Sequence, residues 1–250
     1  MRDFTVRNGP SYVVGYQTQD WMNQGDYYMM GGQFETVAGA DLKLSEITFA
    51  FDMTQVPTVD RKGAFKTTAP QVQIAFSDRE GYTAYYFAKT TAQPDGTWVT
   101  GGGAVSDPTI GAGIGFWYRD QSASSPSFTF AGQVVPDSPW EKTFDANYRM
   151  LVCPFPKAVT LSEIGFDGLA DDIPTVDRKG LFKATATQIQ VPFADREGFT
   201  TYYFAATTAQ PAGTWVTAGG AVADATTITI PAGRGCWFKP AKEMTVTFTK

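Results

Sequence analysis

Six carboxylates recur at matched places in this chain: Asp60, Asp78 and Glu80, then Asp177, Asp195 and Glu197. Two carboxyl groups about 5–10 Å apart are all that glycoside hydrolysis requires. Each of these six sits in a turn signal such as Asp60-Arg61-Lys62-Gly63. An Asp in a turn usually bonds the backbone N–H groups that follow it. No catalytic residue is therefore assigned, and no enzymatic activity is expected. The chain contains no histidine, which removes Ser-His-Asp and Cys-His catalysis and every imidazole metal site. Asp167-Gly168-Leu169-Ala170-Asp171-Asp172 offers oxygen ligands for calcium but lacks EF-hand spacing, so it reads as a solvated acidic loop. Gly101-Gly102-Gly103 lacks the Lys and the following helix of a phosphate-binding loop. No metal and no cofactor is expected.

Two further residue types could matter. Cys153 and Cys236 both lie in the second half of the chain, where the first half has approximately Gln33 and Phe116. If the strands that carry them are neighbours, a disulfide could join them; two buried free thiols are the alternative. The six tryptophans fall into pairs: Trp21 with Trp140, Trp98 with Trp215, Trp117 with Trp237. Aromatics present twice suit the core of a common scaffold. A sugar-binding platform built twice, with avidity as its benefit, would give the same pattern. The core is the favoured reading.

What must position these residues is a duplicated scaffold. Residues 56–105 return as 173–222 at a constant offset of 117, with 37 of 50 positions identical. Leu44-Ser45-Glu46-Ile47 returns as Leu161-Ser162-Glu163-Ile164. Gly115-Phe116-Trp117 returns as Gly235-Cys236-Trp237, now 120 apart. Three extra residues therefore precede it in the second copy. Tyr28 to Phe34 matches Tyr148 to Phe155 loosely. The expected division is an N-terminal extension over 1–11, copy one over 12–134 and copy two over 135–250. Each copy is of ordinary domain size. The join Val135-Pro136-Asp137-Ser138-Pro139 predicts a short, stiff connection.

Local pattern points to strands. Gln71-Val72-Gln73-Ile74-Ala75-Phe76 alternates polar and apolar, and Asp78-Arg79-Glu80-Gly81 then supplies a turn into Tyr82–Phe87. Pro94-Asp95-Gly96 is another turn, leading into Thr97-Trp98-Val99-Thr100. Asp60-Arg61-Lys62-Gly63 reads as the same hairpin device between shorter strands. Leu44–Ile47 and Leu161–Ile164 are the only weak helical turns. Short strands separated by regular turns predict an all-β chain made of two tandem homologous β-sandwich domains, or partly open barrels.

Charge bounds the partners. The formal net charge is −5 and the isoelectric point about 4.8. No basic face is visible, so nucleic acid is not an expected partner. No apolar run is long enough to span a bilayer. Met1 to Val6 shows no apolar signal-peptide core.

Val13-Val14-Gly15-Tyr16-Gln17-Thr18, Leu44-Ser45-Glu46-Ile47, Gly115-Phe116-Trp117-Tyr118 and Phe128-Thr129-Phe130-Ala131-Gly132-Gln133-Val134, with Ile230 to Phe238 in copy two, resemble a group of poorly characterised exported β-repeat proteins from bacteria of the Verrucomicrobia and Lentisphaerae type. The resemblance implies a secreted or surface-attached β-protein, extracellular or on the cell surface, and carries no activity.

The N-terminus holds Phe4-Thr5-Val6, then Tyr12-Val13-Val14, which look like the end of a unit that is not there. These six residues are the expected assembly strand, donated to a sheet edge of the next molecule. The expected function is that of a self-assembling structural protein, a fibre, pilus-like appendage or surface layer, whose partners are copies of itself in a head-to-tail polymer. A carbohydrate-binding module that uses the repeated aromatics on a glycan is the alternative, and a phage virion component a third.

Overall fold

A computed structural model describes residues 7–8, 13–19, 22–36, 40–76, 81–134, 139–193 and 198–249, with backbone alone for 7–8 and 13–19. The chain is all-β, with 42% strand and no helix of seven residues or more among those described. Its strands are distributed over several small sheets in a propeller-like arrangement. No described helix is long and apolar enough to cross a membrane.

The sequence duplication is also a duplication of topology. The first large sheet has five antiparallel strands in the spatial order Tyr28–Gly31, Gly115–Arg119, Gln71–Ala75, Tyr82–Ala88, Thr97–Thr100. The second repeats that order with Arg149–Val152, Gly235–Lys239, Thr187–Pro192, Phe199–Ala205 and Thr214–Thr217. A second sheet with fewer residues accompanies each, of five strands in copy one and three in copy two. In copy one Phe128–Val134 pairs with Val13–Gln19, Phe34–Glu35 and Thr48–Phe49. In copy two Met244–Phe248 pairs with Trp140–Phe144 and Gly165–Phe166.

Alternation along each strand separates two faces. Val72, Phe116, Tyr118 and Trp98 of the first large sheet bury themselves against Phe34, Phe128 and Phe130 of the smaller sheet. Ile189, Cys236, Phe238 and Trp215 do the same against Val246 and Phe248 in copy two. The intervening residues, among them Trp117 and Trp237, therefore point to the opposite face of each large sheet.

Asp60-Arg61-Lys62-Gly63 is not a hairpin loop. Gly63 takes a left-handed φ of 71° and opens a short 3-10 helix, Ala64–Thr67; Gly180 repeats this at 70° before Leu181–Ala184. Phe65 and Phe182 from these turns are buried, Phe65 with Ala69, Ala88 and Val99 and Phe182 with Ala186, Ala205 and Val216. The weak helical turns are 3-10 helices, Leu44–Glu46 and Leu161–Glu163.

The leading segment pairs within its own chain. Arg7 lies opposite Val14 and Asn8 opposite Val13, while Val14 on its other side lies opposite Gln133. Val13 and Val14 thus belong to an interior strand whose backbone is engaged by its own sheet. Phe4, Thr5, Val6 and Tyr12 lie outside the described residues, as does the join at 135–138.

Candidate functional site: an aromatic cleft between the two copies

The outward faces of the two large sheets meet. Met29, Met150 and Val152 are buried between them, with Ala75, Trp117 and Trp237 packed around. Strand register identifies which residues correspond. Tyr118 lies opposite Tyr28 and Trp117 opposite Met29; in copy two Trp237 lies opposite Met150. Met29 therefore corresponds to Met150, Tyr27 to Tyr148 and Gly31 to Val152. This is one residue away from the loose alignment of Tyr28 with Tyr148. Side-chain chemistry agrees: the Tyr27 hydroxyl donates to Gln71 Oε1 at 2.9 Å, and the Tyr148 hydroxyl to Gln188 Oε1 at 3.0 Å.

Equivalent residues meet across the junction. Trp117 and Trp237 lie 6.3 Å apart between ring centroids. Gly31 faces Val152 so closely that a Cβ on Gly31 would lie 2.2 Å from Val152 Cγ1. A surface that contacts its own counterpart is the signature of a two-fold relation. The junction is tied by polar contacts as well. Gln33 Nε2 donates to the Phe155 carbonyl at 2.6 Å, Arg234 Nε donates to the Met29 carbonyl at 2.9 Å, and the Gly31 N–H donates to the Gly233 carbonyl at 3.0 Å.

Where the two faces diverge they leave an open cleft of about 650 Å³, lined by Tyr27, Gln73, Tyr82, Trp117, Tyr148 and Trp237. Its floor is a strip of rings. Tyr27 to Trp117 spans 6.4 Å, Trp117 to Trp237 6.3 Å, and Trp237 to Tyr148 6.4 Å. A cation flanks each end: the Arg119 guanidinium stands 5.0 Å from the Tyr27 ring centre, and Lys239 Nζ 5.4 Å from that of Tyr148. Tyr82 and Phe199, which correspond at the constant offset, are large apolar side chains left exposed, at 51% and 43%. Phe199 lines a second hollow of about 300 Å³ that shares Tyr27 and Trp117. The arrangement presents flat apolar surface, phenol hydroxyls and an amide to whatever enters.

The tryptophans thus have different fates. Trp98 and Trp215 are core residues, 3% and 4% exposed. Trp117 and Trp237 are half-buried in the cleft. Trp140 packs on Phe248 and lies against Gly113 of copy one. Trp140 sits opposite Phe248, whereas the matching Phe130 sits opposite Gln17. Gln17, and not Trp21, is therefore its counterpart; Trp21 lies outside the described residues.

Cys153 and Cys236 are free, buried thiols, which corrects the possible disulfide. The register explains it: Cys236 lies opposite Leu151, leaving Cys153 two residues further along. Such diagonal neighbours are about 7–8 Å apart, beyond the usual disulfide span of about 4.4–6.8 Å. Burial pushes the Cys153 thiol up to about 11 and raises that of Cys236 further.

The repeated turn carboxylates serve the backbone. Asp60 accepts from the N–H groups of Lys62, Ala64 and Phe65 at 2.8, 3.1 and 2.9 Å; Asp177 accepts from those of Lys179, Leu181 and Phe182 at the same distances. Bonds from Ala64 and Phe65 hold the Asp60 carboxyl below its ordinary value. Asp171 pairs with Lys242 at 2.7 Å. Among the described residues no three Cys, Asp or Glu side chains stand close enough to hold a metal ion. Asp78, Glu80, Asp195 and Glu197 lie outside the description. Comparison with protein-family models, with curated proteins and with solved structures finds no match to this chain.

Proposed function

We propose that this chain is a carbohydrate-binding protein of the cell surface or extracellular space, and that a glycan lies along the ring strip between its two copies, each copy read as one β-sandwich unit. The observation that carries this reading is the strip Tyr27–Trp117–Trp237–Tyr148, open to solvent on a surface where equivalent residues of the two copies meet. The apolar faces of pyranose rings stack on aromatic rings, and the hydroxyl edges of a sugar need amide and phenol partners of the kind Gln73 and the two tyrosines supply. The strip is shared between copies, so the duplication itself builds the site. The backbone duties of Asp60 and Asp177 commit those two repeated carboxylates to their turns and not to hydrolysis.

Affinity electrophoresis through gels that contain single polysaccharides tests it. The wild-type chain should be retarded by at least one polysaccharide, and a Trp117→Ala/Trp237→Ala variant should run as in a blank gel. Equal retardation of both, or none by a broad panel, would overturn the reading.

A second reading, self-assembly into a polymer, is supported by exposed apolar side chains repeated at the large-sheet edges. Val105 and Val222, 58% and 55% exposed, bridge the edge-strand residues Val99 and Val216. Negative-stain microscopy of concentrated protein distinguishes the two: regular polymers favour assembly, and dispersed particles count against it.

A further inference from the structure

The two copies differ at one corner, and in copy one that corner holds a site that the cleft does not use. In copy one a hollow of about 670 Å³ lies between the small and large sheets, on the opposite face of the large sheet from the ring strip. That size falls in the range of about 300–1,000 Å³ typical of small-molecule sites. Its walls are aromatic: Phe49 and Phe51 stack in parallel at 5.3 Å, Phe51 meets Phe87 at 4.3 Å, and Phe87 meets Trp98 at 5.5 Å. Met53 and Val105 stand at the mouth, 36% and 58% exposed. Gln93 and Asp107 supply the polar rim.

Copy two brings its own side chains to the same corner. The two-residue strands Thr109–Ile110 and Thr229–Ile230 correspond, since each pairs with the strand just before the Leu-Ser-Glu turn. The Leu44 N–H donates to the Pro108 carbonyl at 2.9 Å and the Leu161 N–H to the Ile228 carbonyl at 3.0 Å, so Pro108 corresponds to Ile228. The three extra residues of copy two are therefore Ala225, Thr226 and Thr227. Ile228 is buried in the core of copy two, and Ala225 and Leu169 pack against that core. The Ser162 N–H turns to the Ala225 carbonyl at 3.2 Å, whereas the Ser45 N–H turns to Asp107 Oδ1 at 3.0 Å. At the constant offset Phe51 of copy one is Gly168 in copy two, and Met53 is Ala170. At this corner copy two thus packs Ile228, Ala225 and Leu169 on its core, while copy one sets Phe51 and Met53 along the hollow.

We propose that the hollow of copy one is a binding site for a small, ring-bearing, mainly apolar molecule, held between Phe51, Phe87 and Trp98 with its polar end at Gln93 and Asp107. What copy two places there shows the chemistry the corner accepts, apolar side chains of modest size. The aromatic walls of copy one extend this to flat rings.

The probe is N-phenyl-1-naphthylamine, a neutral ring compound that brightens in apolar surroundings. The wild-type chain should bind one equivalent saturably. Giving copy one the loop of copy two, by inserting Ala-Thr-Thr after Asp107 together with Pro108→Ile, should weaken binding at least tenfold. Copy two shows that this loop is compatible with the scaffold. Val105→Trp, at the solvent-exposed mouth, gives the same test without altering the loop and should also weaken binding severalfold. Trp117→Ala/Trp237→Ala should leave the probe affinity unchanged. The proposal is overturned if the wild type shows no saturable binding, if both the loop variant and Val105→Trp bind as well as wild type, or if binding is lost in the cleft variant instead.

Discussion

Removing tryptophans one pair at a time separates the buried core rings from the cleft rings. Trp98 is 3% exposed and touches the rings of Phe49, Phe51 and Phe87 at centroid distances of 5.3, 6.0 and 5.5 Å. Trp215 is 4% exposed and meets Phe166 and Phe204 at 5.7 and 5.5 Å. Truncating such a ring removes its burial and leaves a cavity, at a cost of about 3–5 kcal/mol. In a chain of this size that lowers the melting midpoint on the order of 10 °C. Trp117 and Trp237 are half-buried at the cleft, so each should cost far less stability on truncation. On the proposed function, their loss should fall on glycan affinity. One stacked ring contributes about 0.5–1.5 kcal/mol, or roughly two- to tenfold in affinity. Differential scanning calorimetry and titration with the polysaccharide that retards the wild type, read per folded molecule, measure both quantities on the same samples. The expected outcome is a crossing pattern: Trp98→Ala and Trp215→Ala lower the midpoint and spare affinity, while Trp117→Ala and Trp237→Ala do the reverse. Because the two cleft rings are counterparts, their affinity losses should agree within about threefold. Trp117→Ala costing as much stability as Trp98→Ala, with affinity unchanged, would refute the division.

Three further outcomes follow from the packing. Gly31→Val should destabilise the junction by about 1–3 kcal/mol through overpacking against Val152, and Val152→Gly in the same chain should recover part of that loss; urea midpoints check both. Cys153 and Cys236 should not react with Ellman's reagent near pH 8 until the chain is unfolded, because burial raises both thiols and holds Cys153 near 11, and reduction with alkylation under native conditions should leave the mass unchanged. Asp120 is buried, which raises its carboxyl above the ordinary value despite bonds from Ser122 and Tyr118. The folded state therefore holds that proton more tightly than the unfolded state. Stability measured against Asp120→Asn should fall as pH rises from the ordinary aspartate value near 4 through the raised one, and a flat difference would contradict it.

Much of the scaffold is readable in the residues. The strand Gln71–Ala75, the turn at Pro94-Asp95-Gly96, the strand Thr97–Thr100 and the 3-10 turns at Leu44 and Leu161 all stand where alternation and turn chemistry put them. The site was less legible, for a physical reason. In Phe116-Trp117-Tyr118, alternation says only that Trp117 faces away from its neighbours; which side is core depends on the sheet that covers it. In a strand of period two, a shift of one residue exchanges the faces. Aligning Tyr28 with Tyr148 hid the match of Tyr27 with Tyr148, and with it the ring strip. The same slip set Cys153 beside Gln33 instead of Gly32. The duplication held the clue that was missed: a residue meeting its own counterpart is invisible in either copy read alone. For the Val13–Val14 segment, an unpaired strand motif and an interior strand look alike in sequence, and only the register against Gln133 shows that it pairs within its own sheet here.

The proposed function rests on where the ring strip lies, and the indole N–H resonances of ¹⁵N-labelled protein report on that directly. On titration with the retarding polysaccharide, assigned by single Trp→Phe variants, the signals of Trp117 and Trp237 should move together and saturate while those of Trp98 and Trp215 stay in place. Movement of the core signals with the cleft pair unmoved would contradict the account.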